Sequence, residues 1–280
     1  MCNDLAADRA GAVAREIVEA GGTALADGHS VADAANGGAI VDATVDRFGR
    51  VDVVVNNAGQ LRNGPFAELA VDDVAAVIAT HLGGAFHVTQ PAFRAMQAAG
   101  YGRIVFTSSA ALFGGSWQSS YAAAKAAILG LCNVVASEGG AHGIRANAIL
   151  PMALTGGLGH DGPPPFPPDE LDETIAAITP LASRLGVENV APFVAYLASR
   201  ECAVTGRAFS VGAGHVAEVF VGLAPGWCAG NDELTPEVIA SQLDAICNRT
   251  DFTVPESMND ATRAIGARLA ASRPGREGES

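Results

Sequence analysis

A tyrosine and a lysine stand four residues apart in S-S-Y-A-A-A-K-A-A-I-L-G, residues 119–130, and Lys125 is the only lysine in the chain. All the other members of its set of 17 Lys and Arg residues are arginine. The two types differ wherever a compact ammonium with a movable pKa is required. On a helix Tyr121 and Lys125 share a face one turn apart, so the ammonium can approach the phenol. A free phenol titrates near ~10, and a nearby positive charge lowers it toward acid/base use. Such a phenol can exchange a proton with an alcohol or carbonyl oxygen while a hydride passes elsewhere. A serine hydroxyl from an adjacent strand end could hold the same oxygen, and I-V-F-T-S-S offers Ser108 and Ser109. Alone, Y-x-x-x-K is a weak motif that usually marks a solvated helix face; its weight comes from what surrounds it.

The elements that must position these residues alternate. Helical spacing over residues 8–20 and 31–48 flanks a short strand near A-G-G-T-A-L-A-D-G. The run Val51 to Val55, closed by Asn-Asn-Ala-Gly, is the pattern of a parallel strand buried on both faces. A long helical region from Val71 to Ala99, interrupted near H-L-G-G-A-F, leads to the strand G-R-I-V-F-T-S-S. A helix over Ser119–Ser137, the strand G-I-R-A-N-A-I-L-P, a helix over 188–199 and a last strand G-R-A-F-S-V-G-A-G complete the series. P-P-P-F-P-P at 163–168 is expected in an irregular loop, since proline fixes φ and withholds a donor, either a loop over the substrate or an inert surface loop. Strand and helix in alternation predict an α/β, doubly wound parallel sheet over residues 1–214. From His215 the alternation stops, so residues 215–280 are expected to form an extension with one amphipathic helix and a frayed tail.

Composition narrows the function classes. A formal charge of −13 argues against a nucleic-acid or anionic-membrane partner, both of which need a basic footprint. The five cysteines form no C-x-x-C pair, which suits reduced thiols rather than a disulfide framework or zinc site. No run is read as membrane-spanning and the N-terminus lacks signal-peptide regions, so a cytoplasmic location is expected.

N-N-A-G after a Val strand, S-S ending the next, Y-A-A-A-K on the following helix and G-I-R-A-N-A-I-L-P after it resemble the short-chain dehydrogenase/reductase family over about residues 3–215. The resemblance implies that Tyr121 is the acid/base, Lys125 tunes it and holds the nicotinamide ribose, and Ser109 orients the substrate oxygen. It also implies that Asn57, Ala58 and Gly59 line the cofactor cleft, with Ser30, Val31, Pro151 and Thr155 as further cofactor contacts. N-N-A-G-Q-L-R-N-G-P-F-A-E-L, T-H-L-G-G-A-F-H-V-T and L-T-P-E-V-I are similar to the (3R)-hydroxyacyl-CoA dehydrogenase module of peroxisomal multifunctional enzymes and bacterial relatives. That subgroup implies a fatty-acyl-CoA or steroid-type secondary alcohol as small-molecule substrate. NAD is implied in preference to NADP, with Asp4 on the adenosine ribose. A homodimer or homotetramer through the Tyr121 helix and the one before it is implied as well.

Several positions depart from the family pattern. No G-x-x-x-G-x-G loop or strand precedes Asp4, so roughly the first 35 residues of the pattern, which carry the phosphate-binding turn, have no counterpart. The expectation is a mis-started or truncated chain with unpaired strand edges and weak cofactor binding, or a non-catalytic homologue. His81 stands where most members have an Asn that anchors a relay water, but the hydroxyacyl-CoA subgroup carries His there, which implies a catalytic part for His81. His29 replaces an Asp that contacts adenine. The usual Ser-to-Tyr separation favours Ser108, whereas counting from Arg103 favours Ser109; S-A-A-L-F-G-G taken as the family pattern short of one glycine selects Ser109. A 3-oxoacyl-acyl-carrier-protein reductase is the competing enzyme.

Overall fold

The computed structural model describes residues 1–154, 166–229 and 234–272. They divide into two compact units, Met1–Val219 and the described residues from Phe220 onward. In the first unit, β1 (Cys2–Asn3) leads through α1 (Ala7–Glu19) to β2 (Ala26–Asp27), and the two strands pair in parallel, so a short strand does precede Asp4, against the sequence expectation. Then follow α2 (Ala34–Phe48), β3 (Val53–Asn56), α3 (Val71–Ile78), a π-helical turn (Ala79–Gly83) and α4 (Gly84–Ala99). The chain continues through β4 (Gly102–Thr107), α5 (Ser119–Gly139), β5 (Ile144–Met152), α6 (Pro168–Ile178), α7 (Ala191–Ala198), β6 (Ala208–Gly212) and β7 (His215–Val219). The larger sheet has the order β3-β4-β5-β6-β7, parallel except for β7.

The alternation of strand side chains builds a core on each face of this sheet. Ile104 and Phe106 on β4, with Ala146, Ala148 and Leu150 on β5, point to one face and pack with Val41 of α2, Met96 of α4 and Ile128 of α5. Val105 and Ile149 point to the other and meet Leu197 of α7 and Val211 of β6. By length and composition Ser119–His142 is apolar enough to cross a membrane, contrary to the expectation that no run is. Its buried Ile128, Cys132 and Ala136 belong to the sheet core, so α5 is a core helix of this fold.

Two differences from the sequence expectation have clear causes. The strand-helix alternation stops at β6 as expected, but the sheet does not end at residue 214, because Ala213 and Gly214 adopt positive φ (52° and 80°) and return the chain as β7 against β6. Positive φ at both central residues is the geometry of a tight hairpin turn. The proline-rich stretch is not wholly irregular either: Pro168 opens α6, where a missing N–H is harmless at the first helical position. Residues 163–165 lie outside the described residues.

The second unit holds α8 (Pro236–Ser241), α9 (Leu243–Ile246) and α10 (Met258–Ser272) rather than one helix. Phe220 and Phe252 stack at 5.5 Å beside a Leu223–Thr253 backbone bridge. The expected tail past residue 272 lies outside the described residues.

Candidate active site

Among the described residues β3 pairs only with β4 and β1 only with β2, and a cleft of about 410 Å³ lies between these open edges. Val53 and Val55 on β3 are 39% and 45% exposed, which is the unpaired apolar edge the sequence led us to expect. Asn3 and Asp4 stand on one wall, Val53 through Gly59 on the other, and Thr107, His81 and Lys125 close the inner end.

The catalytic candidates come from β4, α5 and the π turn. β4 ends at Thr107, and the next two residues turn opposite ways. Ser108 is buried and its hydroxyl donates to the Lys125 carbonyl at 2.7 Å, so it serves packing. Ser109 is extended (φ −161°), accepts the Ala111 N–H at 3.2 Å to start a short 3-10 turn, and its hydroxyl lies near enough to the Tyr121 phenol to favour the phenolate. The structure therefore brings Ser109, not Ser108, to the tyrosine.

One turn along α5, Lys125 is 4% exposed; its Nζ donates to the Thr107 carbonyl at 2.6 Å and lies 5.5 Å from the Tyr121 ring centre. Burial brings the Lys125 pKa down to about 8. The expected lowering of the phenol is not what the geometry gives. Burial pushes Tyr121 above its ordinary value, and the nearby Ser109 hydroxyl offsets this only in part. The sign differs because desolvation of the phenolate outweighs a lysine that is turned toward Thr107.

His81 occupies the middle of the π turn, 6% exposed, with its ring edge-on to Tyr121 at 5.1 Å and 77°. Its Nε2 lies 2.8 Å from the Gln60 carbonyl oxygen, and its buried Nδ1 has no hydrogen-bond partner among the described residues. Burial, then the nearby Lys125 charge, lower its pKa to about 4 against a smaller opposing effect of the Gln60 bond. His81 is thus neutral at pH 7.

The cofactor candidates divide. Asn57, Ala58, Gly59, Val31 and Asp4 line the cleft. Asn57 Oδ1 accepts from Thr107 Oγ1 at 3.1 Å, tying the N-N-A-G segment to the end of β4. One oxygen of Asp4 accepts the Ala6 N–H at 2.8 Å, so the carboxylate helps begin α1 while facing the cleft. Ser30 is not among the lining residues; its hydroxyl accepts the Ala32 N–H at 3.3 Å, a local turn contact. Pro151 pairs with Val211 at the end of β5 and likewise is not among them. Thr155 lies outside the described residues. His29 is held by Asp27 at 2.9 Å, away from the lining. Sequence reasoning missed Thr107, whose carbonyl seats Lys125, and Gln60, whose backbone meets His81. Only the position of Gln60 next to N-N-A-G pointed to it.

A mainly parallel α/β sheet with Ser109, Tyr121 and Lys125 beyond the carboxyl end of β4 puts this cluster where open α/β sheets bind their ligands. The chain belongs to the short-chain dehydrogenase/reductase family. Residues 2–215 match the family model described as Enoyl-(Acyl carrier protein) reductase. The chain is 35% identical to the peroxisomal multifunctional enzyme type 2 of Mus musculus over 90% of its own length and 32% of that protein's. It is 39% identical to a putative short-chain type dehydrogenase/reductase of Mycobacterium tuberculosis, over 74% of this chain and 68% of that one. It thus spans about a third of the mouse relative. The full-length peroxisomal multifunctional enzyme type 2 of Drosophila melanogaster superposes with a TM-score of 0.75 at 28% identity, over 98% of this chain and 45% of that one. A short chain dehydrogenase of Mycobacterium avium gives 0.68 at 32% identity, over 88% and 81%. Dehydrogenases of this family take nicotinamide dinucleotides.

Proposed function

We propose that the chain interconverts a secondary alcohol and a ketone with a nicotinamide dinucleotide, preferring NAD, on a 3-hydroxyacyl-CoA or steroid-type substrate. The observation that carries this is the grouping of Ser109 and Tyr121 with Lys125 and His81, of which the last two line the cleft while Ser109 and Tyr121 stand just outside its lining. The cleft residues suit the cofactor: Asp4 has a carboxylate oxygen left for ribose hydroxyls, and Lys125 can reach a second ribose. When bound, the dinucleotide accepts or supplies the hydride. Ser109 Oγ holds the substrate oxygen, and Tyr121 Oη exchanges a proton with it. Because burial keeps the phenol protonated at neutral pH, Tyr121 is set to donate to a ketone oxygen there. Oxidation of the alcohol needs the phenolate, so it gains as pH rises.

The multifunctional enzymes among the relatives support the acyl-CoA substrate. A relative named 3-oxoacyl-[acyl-carrier-protein] reductase, from a Synechocystis strain, is 34% identical over 74% of this chain and 82% of its own, and supports a carrier-protein thioester as the second reading. Exposed Phe86 on α4 and Val134 on α5 fit self-association as a homodimer or homotetramer. Five free thiols suit a reducing compartment such as the cytoplasm.

The test measures oxidation of (3R)-3-hydroxyacyl-CoA with NAD and NADP by the full chain and by Tyr121→Phe, with the carrier-protein thioester in parallel. Turnover of the CoA thioester, rising with pH and lowered ~10²–10⁴-fold in the variant at unchanged melting temperature, is expected. Equal turnover by the variant would overturn the assignment, and preference for the carrier-protein thioester would select the second reading.

A further inference from the structure

His81 is presented by the unusual turn in the helical run, and the contacts around that turn converge on one residue, Gln60. The Gln60 carbamoyl nitrogen donates to the Ala76 carbonyl at 3.0 Å and to Thr80 Oγ1 at 2.7 Å. Those are both of its donors. Ala76 lies in α3 and Thr80 in the π turn, so the side chain staples the segment after Gly59 both to the helix before the irregularity and to the irregularity itself. π turns recur at functional sites, where one inserted residue re-aims a side chain. With Gln60 held there, its own backbone meets the His81 ring: the carbonyl oxygen lies 2.8 Å from Nε2 and the N–H nitrogen 3.2 Å from the same atom. One ring nitrogen cannot donate to the first and accept from the second in the same tautomer. The shorter contact is to the carbonyl, which requires Nε2–H and leaves Nδ1 as a bare acceptor, buried and without a partner among the described residues.

We infer that Gln60 is a positioning residue: by stapling its own carbonyl beneath His81, it holds the imidazole in the Nε2–H tautomer with an unprotonated Nδ1 inside the site. This rests on the reading of His81 as a working group of the site. Its consequence is a neutral acceptor beside Tyr121 and Lys125, the titratable side chains that face the ring from α5. A water or hydroxyl that donates a hydrogen bond to Nδ1 is oriented for proton exchange with the Lys125 side of the cleft while the ring itself stays neutral. A histidine in the other tautomer would present a donor there and block that exchange.

The tautomer is read directly from the imidazole nitrogen signals of the 15N-labelled full chain by NMR, without cofactor or substrate, with His81→Phe assigning the resonance. In the parent protein at pH 7, Nδ1 should give the signal of a bare ring nitrogen and Nε2 that of a protonated one. Gln60→Leu should move both toward the midpoint, as the two tautomers mix. Thr80→Val removes one of the two staple partners and should move them the same way by a smaller amount, which keeps the test informative if Gln60→Leu fails to fold. Unmoved signals in a folded variant, or a parent protein with Nδ1 protonated, would overturn the inference. Turnover of (3R)-3-hydroxyacyl-CoA unaffected by His81→Phe would instead remove His81 from the reaction while leaving the positioning intact, so the two failures are distinguishable.

Discussion

Gly59 packs so closely on His81 that the smallest possible side chain tests the site. A Cβ added there would lie 2.5 Å from His81 Cε1 and 3.3 Å from each ring nitrogen. Carbon atoms in contact sit at ~3.5–4.0 Å, so about 1 Å of clearance must be found. Gly59 lacks a left-handed φ, so the penalty of Gly59→Ala is contact alone. Neither partner gives way freely. The ring is wedged between Tyr121 at 5.1 Å and Gln60 at 2.8 Å, and the Gly59 backbone is flanked by Asn57, bound to Thr107, and by the stapled Gln60. Overpacking of this kind costs ~1–3 kcal/mol of stability. A catalytic group displaced by about 1 Å costs on the order of 10²-fold in rate. Thermal melting and kcat for 3-oxoacyl-CoA reduction, measured on the same preparation, check both. A variant that retains kcat within about threefold and melts like the parent would show that His81 is not held against this backbone, and the proposed proton path would lose its geometry.

Further outcomes follow from the same contacts. Lys125→Arg should fail to support turnover, since a planar guanidinium whose pKa cannot be tuned must replace an ammonium that is 4% exposed and 2.6 Å from the Thr107 carbonyl. Activity above about a tenth of the parent's would contradict a specific need for lysine. His81 also fixes part of the stability profile. Its folded pKa of about 4 lies below the ordinary 6.5, so between these values the unfolded chain binds more protons and stability falls as pH drops through the window. The loss should reach roughly 3 kcal/mol by pH 4, and His81→Phe should flatten that stretch of a denaturation series. An unchanged slope would mean that the imidazole is solvated.

The sequence carried the pieces that depend on spacing and lacked those that depend on burial. Tyr121 and Lys125 were legible because four residues on a helix fix a shared face, and N-N-A-G because it closes an apolar strand. Ser108 and Ser109 could not be separated by counting, since neighbours at a strand end point to opposite sides and only the packing of α5 decides which side is core. β7 escaped because Ala213 adopts a positive φ usually left to Gly, Asn or Asp, so the turn lacks its ordinary signature. Gly83 and Gly84 marked an interruption in the helical run, but an interruption can be a kink, a break or a π turn, and only the last brings His81 to Tyr121.

The sign of the Tyr121 shift shows most clearly why proximity in sequence does not settle chemistry. Two groups placed one turn apart were expected to help each other ionise. In the fold both are desolvated, the ammonium is turned to a backbone carbonyl, and each is driven toward its neutral form. A lysine at about 8 keeps most of its charge at neutral pH yet lies within reach of giving a proton up, whereas an arginine in the same pocket would stay charged throughout. The single lysine of the chain therefore sits where a cation is present at neutral pH and still able to lose its proton. The Thr107 carbonyl that seats it could not have been named before β4 and α5 were packed together.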